Sequence, residues 1–153
     1  MPQKKKILVA TDGSEPAEVG VKYAARLGEK TGLPVVAFFV LDKHEYLIHA
    51  EVDGKERERL EREGRAALER AWETCTAHGI ECTTESVEGY SHEEIIKRAR
   101  GDDIALIVMG AKGKDYLKKR VLGSVTLEVV KQVGLTHVCP VVVVPLDRKK
   151  LEI

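Results

Sequence analysis

No charge of one sign dominates this chain. Its 25 lysines and arginines balance 25 aspartates and glutamates, which excludes the whole-protein positive field that would hold nucleic acid or an anionic membrane. Neither is an expected partner. Cysteine is scarce: Cys75, Cys82 and Cys139 are odd in number and form no C-x-x-C pair, an arrangement that argues against a disulfide framework or a zinc ribbon. A reduced, cytoplasmic setting is expected. Long apolar runs are also missing, and no stretch approaches a membrane span. Three lysines at 4 to 6 are followed by an apolar run, but it ends at Ala10 and meets Asp12, too short for a signal sequence. No linker or internal repeat interrupts the 153 residues. They are expected to form one domain, 1–153, burying about two-thirds of the unfolded surface.

What is present is an alternation of apolar runs and amphipathic stretches. Ile7 to Ala10 is a short strand of β-formers, ended by Thr11-Asp12-Gly13-Ser14. Ser14 is a candidate N-cap for a helix that opens on Glu15-Pro16, where proline is tolerated in the first turn. Small residues at Ala17, Gly20, Val21, Ala24, Leu27 and Thr31 mark one face of that helix, a face suited to close packing. Pro34 to Leu41 is a second strand, closed by Asp42. Lys43 to Lys55 has no clear period; His44, Tyr46 and His49 lack a third ligand at usable spacing, so a loop is expected there and not a metal site.

Arg57 to His78 reads as a long amphipathic helix, with Leu60, Ala67, Leu68, Ala71 and Trp72 near one face. Its alternating charges form a solvated face. Ile80 to Val87 alternates polar and apolar residues, as a half-buried edge strand does. Ser91 and Glu94 have the spacing of a capping box before a short helix. Asp102 and Asp103 precede the strand Ile104 to Met109 and so lie at its amino end, away from the ligand side of an α/β sheet. Val125, Val129, Val130 and Val133 give a last helix its apolar face, and Pro140 to Val144 is the final strand. Five strands alternating with helices imply an open, Rossmann-like parallel α/β sheet with right-handed crossovers and helices on both faces.

Gly110 to Thr126 carries the chemistry. It reads Gly-Ala-Lys-Gly, nine residues, then Gly-Ser-Val-Thr, directly after a strand. Glycine at 110 and 113 permits positive φ and brings backbone N–H groups against a bulky anion. Gly123 and Ser124 open a helix whose first N–H groups lack intrahelical partners and sit at the positive dipole end. Ser124 and Thr126 add hydroxyls. Lys112, Lys114, Lys118, Lys119 and Arg120 outweigh Asp115, giving the loop a local positive field. A polyphosphate is the expected guest. Asp12, just past the first strand, is placed either to hold a sugar hydroxyl or metal-bound water or simply to make a turn. Val40, at the end of the second strand, is either plain core or the wall of a base pocket.

These residues resemble the universal stress protein family in its ATP-binding branch, whose signature is Gly, two residues, Gly, nine residues, Gly, then Ser or Thr. Gly110, Gly113, Gly123 and Ser124 match it. The likeness runs from Thr11-Asp12-Gly13-Ser14 to Cys139-Pro140 and the four valines behind it. The resemblance implies an adenine nucleotide alpha hydrolase-like sheet of strand order 3-2-1-4-5. It also implies ATP contacts at Ala10, Thr11, Asp12, Val40, Met109, Gly110, Gly113, Gly123, Ser124 and Val125, with magnesium held mainly by phosphate and water. The implied role is stress signalling. An enzymatic alternative, a nucleotide hydrolase or adenylyl-transferring enzyme, requires a positioned base, and no histidine falls at the strand ends around the loop. A homodimer through Val141 to Val144 is expected, because that β-branched edge is uninterrupted before Pro145.

Overall fold

A computed structural model describes residues 5–48, 54–119 and 121–146. His49 and Arg120 lie outside the described residues. The chain alternates β1 (Lys6–Ala10), α1 (Glu15–Thr31), β2 (Val35–Asp42), α2 (Lys43–Ile48), α3 (Lys55–Ala77), β3 (Cys82–Gly89), α4 (Ser91–Ala99), β4 (Ile104–Gly110), α5 (Ser124–Thr136) and β5 (Val141–Val144). The strands form one sheet in the order β3-β2-β1-β4-β5, every pair parallel. The fold class expected from the sequence is the one observed.

Strand periodicity explains the layering. Successive side chains point to opposite faces, so Ile7 and Val9, with Val35, Ala37, Phe39 and Leu41, pack under α1 and α3. Leu8, Val36, Phe38, Ile107 and Met109 pack under α4 and α5. Both faces are covered, which is why the central strands read as unbroken apolar runs. Ser14 caps α1 as expected, its Oγ accepting from Ala17 N at 3.3 Å. The small face of α1 lets it approach the sheet closely: a Cβ on Gly20 would stand 3.2 Å from Gly110 N.

Four local expectations are corrected. Residues 43–48 are helical, not a loop, because Asp42 Oδ1 accepts from His44 N at 2.8 Å and so caps α2. Ser91 does not form a capping box. The N-cap of α4 is Tyr90, without a side-chain bond, and the Ser91 hydroxyl donates to Asp42 Oδ2 instead. Trp72 is 49% exposed and Val130 37%; each sits on the rim of its helix's apolar stripe, turned to solvent. Finally, β3 starts at Cys82 and not Ile80, because Ile80 N donates to Cys75 O at 2.9 Å and is still part of the helix-ending turn.

Arg98, near the end of α4, ties β3 to the start of β4. Its guanidinium donates to Asp103 at 2.8 and 2.9 Å and to Glu85 at 2.8 and 3.1 Å, while Lys6 Nζ stands 3.7 Å from Asp103. Asp103 is therefore a structural acid, as its position predicted. The hydrogen bonds from Arg98 hold its carboxyl down at about 2. A carboxyl whose folded value lies below the unfolded one contributes stability above the unfolded value, lost as pH falls through the folded one. Asp103→Asn is expected to cost roughly 1–2 kcal/mol at neutral pH. In urea titrations at stepped pH, the gap between wild type and variant should close between about 4 and about 2; a gap independent of pH would contradict this.

Candidate functional site

The carboxyl ends of β1, β2 and β4 and the amino end of α5 enclose an open cleft. It lies where the strand order reverses between β1 and β4, the switch point at which such sheets bind ligands. All the candidate residues line it. From β1 and the turn behind it come Ala10, Thr11 and Asp12; from β2, Val40; from β4, Met109 and Gly110. Lys112 and Gly113 come from the loop, and Gly123, Ser124, Val125 and Thr126 from the start of α5. Val40 packs against the core beneath α4 and α5 and also lines the cleft.

Asp12 is the joint between the two walls. Its Oδ1 accepts from Ser14 N at 2.9 Å, shaping the turn into α1, and its Oδ2 accepts from Lys114 N at 3.1 Å, tying down the loop that follows β4. Gly110 is the second joint. Its carbonyl accepts from Thr126 Oγ1 at 2.9 Å, and a Cβ on it would fall 2.5 Å from Pro16 O. Thr126 is 3% exposed, so its hydroxyl braces the loop and is not the free donor expected from the sequence. Gly123 N donates to Ala111 O and Ala111 N to Val144 O, each at 2.8 Å. The loop is thus closed at both ends by backbone bonds.

The glycines have a different reason from the one expected. Among the described residues, glycine takes positive φ at 13, 32, 54 and 79, not at 110, 113 or 123. What the loop needs is space: a Cβ on Gly113 would lie 2.8 Å from Asp12 Oδ2, and one on Gly123 would lie 3.2 Å from Gly113 N. Gly123 is also the N-cap of α5 and brings no side-chain cap. The first N–H groups of α5 therefore open toward the cleft with neither an intrahelical partner nor a capping oxygen.

The expected positive field is corrected as well. Lys118 and Lys119 do not line the cleft, and Lys118 stands 3.9 Å from Asp115. Lys114 Nζ crosses the mouth to Glu45 at 3.0 Å and Glu63 at 3.6 Å. Four carboxylates, Asp12, Asp42, Glu45 and Asp115, line the cleft beside two ammonium groups, Lys112 and Lys114. Asp42, Glu45 and Ser91 were not among the sequence candidates. Asp42 had a usable signal, since it follows a strand just as Asp12 does, whereas Glu45 depends on α2. That helix is pinned over the mouth by Tyr46, whose hydroxyl donates to Glu88 at 2.7 Å, and Arg57 also binds Glu88. The two donors, Tyr46 first, hold the Glu88 carboxyl below the usual carboxylate range.

Among the described residues no group of three or more His, Cys, Asp and Glu side chains is arranged to hold a metal ion, and no helix is long and apolar enough to cross a membrane. Comparison with known proteins adds the following. The sequence profile described as "Universal stress protein family" matches residues 4–145. Universal stress protein MJ0531 of Methanocaldococcus jannaschii is 33% identical over 149 residues, covering 95% of this chain and 85% of that protein. The solved structure of MJ0577, a universal stress protein of the same organism, superposes with a TM-score of 0.77 at 32% identity, covering 94% of this chain and 96% of that one. A universal stress protein of Archaeoglobus fulgidus, solved in complex with dAMP, superposes with a TM-score of 0.68 at 23% identity, covering 94% and 98%. The signature at Gly110, Gly113, Gly123 and Ser124, the strand order and these similarities agree, and the chain belongs to the universal stress protein family.

Proposed function

We propose that this protein binds ATP with magnesium in the cleft at the β1/β4 switch point, as a nucleotide-dependent stress-response or signalling protein. The observation that carries the reading is the uncapped amino end of α5 at Gly123, facing Gly113 across a gap that no Cβ occupies. Backbone N–H groups at a helix start are built to take phosphate oxygens. The phosphates would lie along Gly110, Lys112, Gly113, Gly123, Ser124 and Val125, with the hydroxyl of Thr126 left bracing the loop. The base would lie against Val40, Ala10 and Met109. The dAMP complex of the Archaeoglobus protein supports an adenine nucleotide as the class of ligand.

The charge of the lining supports a cation alongside the polyphosphate. Four carboxylates against two ammonium groups leave the wall negative, so a polyphosphate entering without a cation would be repelled at close range. Magnesium, bound mainly by phosphate and water, relieves that repulsion. Slow hydrolysis is expected for a related reason. Asp12 already accepts from Ser14 N and Lys114 N, and Asp42 from His44 N and the Ser91 hydroxyl; each is a committed acceptor, poorly placed to take a proton from water.

The edge of β5 supports self-association. Among the described residues β5 pairs with β4 on one side only, which leaves its other backbone edge open there. Val142 and Val144 pack toward α1 and Val141 toward α5, which covers the faces of the strand but not that edge. Antiparallel pairing of Val141 to Val144 with a second copy would satisfy it around a two-fold axis.

Three outcomes are expected. ATP with magnesium should raise the melting temperature on the order of 5–10 °C at about 100 times the Kd; the rise should shrink on chelation and vanish in Gly113→Val, whose side chain would fill the gap beside Asp12. An unchanged melting curve at millimolar ATP, or equal affinity in the variant, would sink the site. Single-turnover assays should show hydrolysis taking minutes or longer, on the order expected without an activated water; several turnovers per second lost in Asp12→Asn would instead establish an enzyme. Sedimentation equilibrium should find a dimer that Val143→Lys dissociates with helical content retained, since Val143 belongs to neither core cluster. A monomer at tens of micromolar would rule the dimer out.

A further inference from the structure

Two of the three cysteines meet in the fold. Cys75 lies in the last turns of α3 and is fully buried. Its carbonyl accepts from His78 N at 3.1 Å and from Ile80 N at 2.9 Å, so the chain reverses sharply, through Gly79 at a φ of 72°. Cys82 then opens β3 and packs against the same apolar cluster that contains Cys75. The Cys82 thiol donates to Thr83 O at 3.6 Å, and the Cys75 thiol lies near enough to Cys82 for each to bias the other's acidity. Their exposure differs in a useful way. β3 is an edge strand and Cys82 is half-buried, so a small solute can reach it, whereas Cys75 is fully buried.

We propose that Cys75 and Cys82 form a peroxide-responsive dithiol that closes to an intramolecular disulfide. A short tether, Thr76 to Glu81, and a shared apolar cluster keep the two cysteines together. The chemistry balances with hydrogen peroxide as the oxidant. The Cys82 thiolate attacks one peroxide oxygen, the O–O bond breaks, hydroxide leaves, and Cys82 becomes a sulfenic acid. Cys75 gives its proton to that hydroxide, and its sulfur then displaces the sulfenic hydroxyl, which departs as hydroxide and takes up the proton first lost by Cys82. Two thiol hydrogens and one peroxide yield one disulfide and two waters; the two electrons pass from the sulfurs to the peroxide.

The division of roles follows from the surroundings. The Cys75 thiol and the backbone N–H of Ala37 both stabilise a thiolate on Cys82 and draw its pKa down, while the nearby Cys82, with burial behind it, pushes Cys75 up. The attacking sulfur is thus the accessible one. Cys139 supplies an internal control. It packs on the opposite face of the sheet, and burial pushes its thiol up.

Wild-type protein, freed of reductant, is treated with stoichiometric hydrogen peroxide, denatured, alkylated with iodoacetamide and digested with trypsin. Ala71 to Lys97 contains both cysteines and no internal lysine or arginine, so one peptide reports the bond. The expected result is that this peptide loses two hydrogens and both alkylation sites, while Cys139 remains alkylated. In Cys139→Ser the crosslink should persist, and in Cys75→Ser, Cys82 should stop at a sulfenic acid trapped by dimedone. Oxidation of Cys139 ahead of the pair, disulfide-linked dimers in place of the internal bond, or two alkylated thiols in Ala71 to Lys97 would each overturn the proposal. None of these readouts depends on nucleotide binding.

Discussion

The missing Cβ at Gly110 is the constraint on which the cleft depends. A methyl group there would fall 2.5 Å from Pro16 O and 3.1 Å from Lys112 O, driving α1 and the following loop away from the end of β4. With hydrogen in its place, three elements converge: β4 ends, α1 passes within contact through Gly20, and α5 is clipped to the Gly110 carbonyl by the buried Thr126 hydroxyl. Thr126 and Gly110 are therefore one device. A buried hydroxyl without a partner would be costly, so the bond fixes the register of α5 on the sheet and, with it, the direction in which the helix start points.

Electrostatics in the cleft are governed by pairing more than by composition. The loop is rich in lysine, yet its positive charge is spent locally: Lys118 beside Asp115, Lys114 across the mouth to Glu45 and Glu63. Lys112 is left to line the wall without an ion pair among the described residues. Exposed pairs of this kind contribute little to stability. Their effect is on what the cleft presents to an anion, which is fixed backbone dipoles and a single unpaired ammonium in a wall of committed carboxylates. Such an environment favours a ligand that brings its own cation over a bare polyanion.

Much of this architecture was legible in the residues. Ile7 to Ala10 and Ile104 to Met109 are unbroken apolar runs because helices cover both faces of the sheet, and that alone identifies central parallel strands. The glycine spacing located the loop, although for the wrong local reason: the sequence pattern suggests positive φ, whereas Gly113 and Gly123 serve close approach. What was not legible depends on contacts distant in sequence. Ser91 has a perfectly good cap signal, but its hydroxyl is taken by Asp42 from the neighbouring strand end. Glu45 reaches the cleft only because α2 forms, and α2 is held by Tyr46 on Glu88, forty-two positions away. Lys114 looks like a phosphate ligand until the fold supplies two carboxylates to it.

Two helices begin at the crevice, and the chain ends them differently. α1 starts on Ser14, whose Oγ accepts from Ala17 N, with Glu15 and Glu18 in its first turn; its orphan donors and its dipole are answered from within the protein. α5 starts on Gly123, has no side-chain cap and carries no acid in its first turn. A helix of thirteen residues left this way forgoes only about a few tenths of a kcal/mol relative to a Ser or Asp cap, because glycine is itself a tolerated N-cap. An open helix start beside a gap that only glycine leaves empty is stable in water, but it reaches its lowest free energy with an anion in place. The two helix starts at the crevice are thus built differently: one is closed by its own side chains and the other is left open.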